Sequence, residues 1–195
     1  RKRGRPPKAR ILLPVDFSDY SSRAAEMAMD WAQLLDAEIT VMHVFYNPVI
    51  NTLPFAEAYV YDTSVDEMLV ELEEKAQEDM NAFMGDLKER KKKKGLENLN
   101  IKTKLLRGVA EDEIVHFSED YQPTVIIMGT RGKGRKASDL IGSVTAEVME
   151  GARVPVLAVP EDFDYQGIDR MKKLLYVTNF EESDFVALDK LERLV

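Results

Sequence analysis

The apolar positions of this chain fall into two alternating patterns. Short apolar runs, several of them rich in β-branched side chains, predict strands at 11–15, 38–45, 101–106, 124–128 and 154–159. Apolar positions three and four residues apart predict helices at 24–35, 65–87, 111–119 and 143–150. Because strands and helices alternate through residue 160, we expect an α/β fold, an open parallel five-stranded sheet with helices on both faces.

Two segments between these elements need separate interpretation. Residues 46–61 contain two prolines and no clear period, which predicts a surface loop. The basic run at 90–94 is followed by Gly95. Cations favour the negative end of a helix dipole, and glycine permits a left-handed stop, so this run indicates the end of the long helix.

The composition divides the chain into a basic arm, a domain and a remainder. Residues 1–9 are dense in Arg and Lys, contain two prolines and lack an apolar period, which predicts a flexible arm. Residues 10–160 hold the alternating elements and form the expected domain. We interpret 161–171 as a linker and 172–195 as the start of a second, truncated repeat.

The second repeat is inferred from an internal similarity. At a constant offset, Ile11 aligns with Leu174 and Ala24 with Ala187, as expected for a tandem protein cut after its first unit. Asn179 stands at the position of Asp16, so a site in the second unit would be altered. The alternative is a chance likeness between two ordinary strand–turn–helix starts.

Composition excludes several classes of chemistry. With no Cys and two His, the chain has neither a disulfide framework nor a histidine-rich metal site. No apolar run approaches the ~20 residues that span a bilayer, and no signal peptide is visible, so a cytoplasmic location is expected. The net charge of −8 argues against nucleic-acid binding by the whole surface.

Glycines surround the end of the predicted strand at 124–128. Gly129 and Gly132 permit a sharp turn and a close approach of backbone to ligand, and nine residues separate Gly132 from Gly142. Gly142 and Ser143 open a helix, and unpaired amides at such a helix end attract phosphate. In parallel sheets, ligands bind beyond the carboxyl ends of strands near the switch in strand order, where Asp16 also ends a strand.

The other strand ends supply groups that suit a nucleoside. Asp16 can accept hydrogen bonds from a sugar hydroxyl, while the backbone amide and carbonyl near His43 and Val44 can bind an adenine edge. Three simpler interpretations stay open. In these interpretations Asp16 is only a helix cap, the glycines only form turns, and His43 is a packed side chain.

These motifs resemble those of the universal stress protein family. The spacing Gly-x2-Gly-x9-Gly-Ser is similar to the nucleotide-binding signature of that family, Pro14-Val-Asp16-Phe-Ser18 to its first strand and turn, and His43-Val44 to the end of its second strand. The resemblance covers residues 10–160. It implies a Rossmann-like fold that binds ATP, or AMP or ADP, with Mg²⁺ accompanying ATP. It also implies a stress-response regulator that acts through a homodimer, pairing with a second repeat, or partner binding.

The resemblance also implies a set of cofactor-binding residues. They are Pro14, Val15, Asp16, Val44, Met128, Gly129, Arg131, Gly132, Gly142, Ser143 and Val144. The basic residues Arg131, Lys133, Arg135 and Lys136 either clamp a polyphosphate or keep their loop solvated. No catalytic residue and no protein metal ligand is assigned.

Two other classes of function stay open. A slow ATP-hydrolysing enzyme is the first, but Val15-Asp-Phe-Ser18 departs from the Ser-Gly-Gly-x-Asp-Ser of ATP pyrophosphatases, and no general base accompanies the glycines. The second is a nucleotide-free assembly module whose last strand pairs with a partner. Arg3-Gly4-Arg5-Pro6 in the arm resembles an AT-hook core, which implies weak DNA binding if the arm is more than a solvated tail.

Overall fold

A computed structural model describes residues 8–45, 63–132, 141–160, 162, 165–173, 175–177 and 185–189. The elements in chain order are β1 (Arg10–Pro14), α1 (Asp19–Leu34), β2 (Glu38–Phe45), α2 (Thr63–Lys93), β3 (Ile101–Arg107), α3 (Ala110–Tyr121), β4 (Val125–Gly129), α4 (Ser143–Gly151) and β5 (Val156–Val159). A short 3₁₀ helix follows at Ile168–Arg170. Each predicted strand and helix is therefore present, and most differences are confined to the ends, which local periodicity defines least sharply.

All five strands are parallel and lie in the order β3-β2-β1-β4-β5. The predicted five-stranded α/β fold is confirmed. The chain builds outward from β1 to β3 on one side and then crosses to β4 and β5 on the other. The switch in strand order therefore falls between β1 and β4, where parallel sheets open a crevice for ligands.

Helices cover both faces of the sheet because side chains alternate along each strand. Ile11 and Leu13 join a core with α1 and α2, while Leu12 joins a second core with α3 and α4. The three side chains are at most 1% exposed. Burial on both faces explains why the central strands form continuous apolar runs.

The long helix α2 ends where the basic run predicted. It stops at Lys93, and Gly95 has a φ of 68°, in the left-handed region that glycine adopts without strain. Lys91 donates from Nζ to the Leu99 carbonyl at 2.6 Å. The run thus terminates a helix and fastens the turn into β3.

Tyr165 and Ile168, within the predicted linker, pack against the core beside α1. The Tyr165 hydroxyl donates to Asp30 Oδ2 at 2.8 Å. Burial is the main cause that raises the pKa of Tyr165, and this hydrogen bond is the second. Farther along, 175–177 are outside any strand and 185–189 are helical, with Leu175 87% exposed. The second repeat stays a prediction.

Several predicted features lie outside the described residues. They are most of the basic arm, including Arg3, Gly4, Arg5 and Pro6, the loop at 46–61, and Lys133, Arg135 and Lys136. Within the described part of the chain, no helix is both long enough and apolar enough to cross a membrane.

Candidate functional site

A cavity of about 280 Å³ opens at the carboxyl ends of β1, β2 and β4. Its volume is near the lower end of the ~300–1,000 Å³ typical of small-molecule sites. All the cofactor-binding residues implied by the sequence resemblance line it: Pro14, Val15, Asp16, Val44, Met128, Gly129, Arg131, Gly132, Gly142, Ser143 and Val144. The fold therefore brings the predicted cofactor-binding residues together around one cavity. The ligand of that cavity stays a prediction.

The lining also includes residues that the sequence patterns did not single out. They are Ser21, Met42, Ala110, Ile114 and Thr145. Ser21 and Thr145 each belong to the first turn of a helix, and helical periodicity does not distinguish such polar residues from caps. Their roles depend on hydrogen bonds to other segments, which are described below.

Asp16 lies in the turn between β1 and α1. Its Oδ1 accepts hydrogen bonds from the Ser18 amide at 3.1 Å, the Ser18 hydroxyl at 2.5 Å and the Ser21 hydroxyl at 2.7 Å. The helix cap is Ser18, whose hydroxyl accepts from the Ser21 amide. The interpretation of Asp16 as only a helix cap is therefore wrong, because Asp16 precedes the cap and braces the turn.

Gly132 stands directly against the Asp16 carboxylate. A Cβ built on Gly132 would contact Oδ2 and lie 3.3 Å from Cγ of Asp16. Gly132 is not among the described glycines with positive φ, so the close approach, rather than backbone conformation, requires glycine here. The loop after β4 and the turn after β1 are thus fitted together at the cavity.

Val44 lies in the part of β2 that continues past the end of β1. Pro14, the last residue of β1, is paired with Met42, whose carbonyl accepts from the Val15 amide. The Phe45 carbonyl instead accepts from Gly108 on the β3 side. Since backbone groups alternate between neighbouring strands, the amide and carbonyl of Val44 face the β1 side, where β1 has already ended.

His43 is held by packing and by a hydrogen bond to the turn after β1. Its ring centroid is 4.3 Å from that of Phe17. Its Nδ1–H donates to the Val15 carbonyl at 2.7 Å, because a carbonyl can only accept. The ring therefore fixes the wall of the cavity, in agreement with the simpler interpretation of His43 as a packed side chain.

The amides at the start of α4 differ in part from the prediction. The Gly142 amide donates to the Thr130 carbonyl at 2.6 Å, so the prediction that it is unpaired is wrong. This bond closes the loop that follows β4. The first-turn amides of Val144 and Thr145 belong to the helix end, where helix geometry provides no carbonyl partner and the dipole favours an anion.

Gly129 is required by packing of α1 as well as by the turn. A Cβ on Gly129 would lie 2.6 Å from the Tyr20 Cβ, closer than real contacts allow. The first turn of α1 therefore lies directly on the end of β4. This reason differs from the predicted close approach to a ligand, and it could not be recognised without knowing which helix covers β4.

Arg131 carries a positive charge to the cavity wall. Its Nη1 donates to the Tyr20 hydroxyl at 3.4 Å, and its Cζ is 6.0 Å from the centre of the Tyr20 ring. Its Nε is buried and has no hydrogen-bond partner among the described residues. A buried N–H without an acceptor is unfavourable by ~1–3 kcal/mol, so an anionic ligand here would satisfy it.

The titratable side chains of the cavity take part in hydrogen bonds of the fold. No group of three His, Cys, Asp or Glu side chains suited to a metal ion is found within the described ranges. Asp16 and His43 are the lining residues able to act as bases, and each makes the structural hydrogen bonds given above.

These observations define an open α/β protein with a cavity at its topological switch point. A model of the universal stress protein family matches residues 9–160, which span the sheet and the whole cavity. The chain belongs to the universal stress protein family.

Individual relatives support this assignment. Universal stress protein MJ0531 of Methanocaldococcus jannaschii is 34% identical over 150 residues, which are 77% of this chain and 81% of that protein. Universal stress protein MJ0577 of the same organism is 31% identical over 156 residues, covering 77% of this chain and 93% of that protein.

Solved structures share the fold. The structure of protein MJ0577 has a TM-score of 0.61 at 30% identity and covers 78% of this chain and 96% of that one. A universal stress protein from Archaeoglobus fulgidus, solved in complex with dAMP, has a TM-score of 0.50 at 22% identity, with coverage of 77% and 97%. At that identity the second likeness concerns the fold alone.

Proposed function

We propose that this protein binds an adenine nucleotide, with ATP as the first candidate, in the cavity between the ends of β1 and β4. The observation that carries the proposal is the distribution of polar groups around the cavity. The first-turn amides of Val144 and Thr145 and the buried Nε of Arg131 offer donors for phosphate. Asp16 and the backbone of Val44 offer partners for a sugar and a base.

The family relation supports this proposal. The Archaeoglobus fulgidus relative was solved with dAMP, an adenine nucleotide. In our proposal, Met128, Gly129, Gly132, Gly142, Ser143 and Val144 surround ribose and phosphates, while Pro14, Asp16 and Val44 hold the adenosine and Val15 lines the cavity beside them. Mg²⁺ accompanies ATP and is bound chiefly by phosphate oxygens and water, as this ion prefers.

Calorimetry with ATP, ADP, AMP and CTP tests the proposal. We expect one adenine nucleotide per chain, with affinity falling as phosphates are removed and with little heat from CTP. Mass spectrometry of nucleotide released from the purified protein identifies the physiological ligand. Absence of both calorimetric heat and co-purified adenine nucleotide would contradict the proposal and favour a nucleotide-free assembly module.

We assign the protein a regulatory role in the stress response, in which nucleotide occupancy changes dimerisation or partner binding. Any hydrolysis should be slow, well below the ~10 s⁻¹ typical of enzymes, because the candidate bases already hold the cavity wall. Single-turnover measurements with labelled ATP check this, and a rate in the enzyme range would favour the hydrolase alternative. The proposed site of action is the cytoplasm, where ATP is abundant, and cell fractionation tests it.

Pairing of β5 with a second copy is the proposed mode of dimerisation. β5 lies at the edge of the sheet. The carbonyls of Pro155 and Val159 face β4, so the amide of Ala158 faces outward. Ala158→Pro removes that donor at a position where an edge strand tolerates proline. Native mass spectrometry should show a dimer for the wild type and a monomer for the variant, and an unchanged dimer would exclude this edge.

The proposal of DNA binding rests on the sequence of the arm alone. Arg3 and Arg5 would enter the narrow minor groove of A·T-rich DNA. A gel shift with and without residues 1–9 tests it. Binding that is lost with the arm supports the AT-hook hypothesis, while equal behaviour of both proteins excludes it.

A further inference from the structure

Ser21 is tied to Asp16 by two hydrogen bonds in opposite directions. Its hydroxyl accepts from the Asp16 amide at 2.9 Å and donates to Asp16 Oδ1 at 2.7 Å. The side chain is on the first turn of α1, lines the cavity and is 3% exposed. Ser21 therefore connects the rigid helix to both the backbone and the carboxylate of Asp16.

The hydrogen bonds of Ser21 and Ser18 fix the rotation of the Asp16 carboxylate. Three donors converge on Oδ1, two from Ser18 and one from Ser21. With Oδ1 directed into the turn, Oδ2 lies on the side of Gly132, where a built Cβ would contact it. Of the two serines, Ser21 is the buried one, so its hydroxyl is the less mobile anchor.

A carboxylate held in one orientation binds a hydroxyl better than one that rotates. The entropy of fixing its rotamer is lost on folding instead of on binding, which is the usual advantage of a preorganised site. An ionised carboxylate is an acceptor only, so the partner it selects must donate. A sugar O–H meets this requirement.

We propose that Ser21 is a positioning residue that orients Asp16 toward the sugar hydroxyls of the bound nucleotide, and so sets the preference for ribose over a sugar without hydroxyls. The inference rests on the proposed nucleotide site. It concerns the sugar end only, and the donors for phosphate at Arg131 and α4 are independent of it.

The measured quantity is the ratio of affinities for ATP and 2′,3′-dideoxy-ATP, obtained by calorimetry. The wild type should prefer ATP by about tenfold or more, the effect expected of a charge-assisted hydrogen bond. Ser21→Ala should bring this ratio close to one while leaving the ratio of ATP to AMP affinity unchanged. Ser22→Ala, at the neighbouring position in α1, should keep both ratios at the wild-type values.

A second pair of variants keeps the proposal testable if Ser21→Ala is too unstable to measure. Ser21→Thr keeps the hydroxyl. Ser21→Val has nearly the same volume as the Thr variant but carries a methyl group in place of the hydroxyl. The ratio should be high for Thr and low for Val. Equal ratios for this pair, or a wild-type ratio in a folded Ser21→Ala protein, would overturn the proposal.

The outcome separates this inference from the proposed function. A wild type that binds ATP and dideoxy-ATP equally overturns the role of Ser21 and leaves nucleotide binding in place. A wild type that binds neither overturns the nucleotide site itself.

Discussion

The hydroxyl of Thr145 donates a hydrogen bond of 2.8 Å to the carbonyl of Gly129, joining the first turn of α4 to the end of β4. Thr145 is 3% exposed, so neither partner has easy access to water as a substitute. Together with the bond from the Gly142 amide to the Thr130 carbonyl, it fixes the helix end that we assign to phosphate.

Thr145→Val should therefore weaken both the fold and the site. Loss of the buried donor is expected to lower the free energy of unfolding by about 1–3 kcal/mol. ATP affinity should fall as well, because the helix end is no longer held. Thr145→Ser keeps the hydroxyl and should retain most of the affinity. Urea denaturation and calorimetry check both effects, and equal values for the Val and Ser variants would show that the bond is unimportant.

Gly132→Ala should impair binding more than stability. The new Cβ meets Asp16 Oδ2, so the carboxylate must rotate away from its donors or the loop must move. We expect a loss of ATP affinity of about tenfold or more, equivalent to about 1.4 kcal/mol or more. Calorimetric titration measures it, and wild-type affinity would place the ligand away from Asp16.

The matched control is Gly85→Ala in α2. A Cβ at Gly85 has nothing within 4 Å, and the position is exposed on the helix. Alanine should increase the free energy of unfolding by about 0.5–1 kcal/mol, because glycine loses more entropy in a helix. ATP affinity should not change.

The end of α2 is joined to α1 by an ion pair. Arg90 Nη1 lies 2.7 Å from Glu26 Oε1, with both side chains 29% exposed. A double-mutant cycle with Arg90→Met and Glu26→Gln should give a coupling energy of about 0.5–1 kcal/mol that declines in high salt. Lys92→Met, at an exposed position in the same run, should show no coupling to Glu26. Coupling of equal size for both would indicate a general charge effect.

Glu38 gives the fold a defined pH dependence. The pKa of Glu38 is lowered chiefly by the hydrogen bond from Lys102. The positive charge of Lys102 and the hydrogen bond from Asn100 lower it further, while partial burial opposes them. The pair therefore stabilises the fold above the unfolded pKa of Glu, about 4.3, and this contribution disappears as pH falls through the lower folded pKa. Glu38→Gln should lose less stability between about pH 5 and pH 3 than the wild type does. Urea denaturation at several pH values checks this, with exposed Glu97→Gln as the control. Parallel curves for wild type and Glu38→Gln would contradict it.

The strands and helices could be predicted from the sequence because the patterns that indicate them are local. β2 has the predicted bounds, Glu38–Phe45, since a run of β-branched and apolar residues depends on its own composition. The switch point followed from alternation of strands and helices, which permits few topologies. Eleven of the residues that line the cavity had been named through the resemblance to the universal stress protein family, whose motifs fall on strand ends and a helix start.

The roles of particular groups could not be obtained in the same way. The Gly142 amide is bound by Thr130, and Gly129 is small because Tyr20 lies on it. Ser21 holds Asp16 through a bond that spans the turn. Each of these depends on which segments meet in three dimensions, and the periodicity of hydrophobic positions carries no information about individual polar contacts.

The central claim is that an adenine nucleotide occupies the cavity between β1 and β4. An NMR titration of the labelled chain with ATP tests it most directly. We predict saturable shifts at the amides of Val44, Gly132, Val144 and Thr145, with β3 amides such as Thr103 unchanged. The absence of saturable shifts, or shifts confined to residues outside the cavity, would contradict the account.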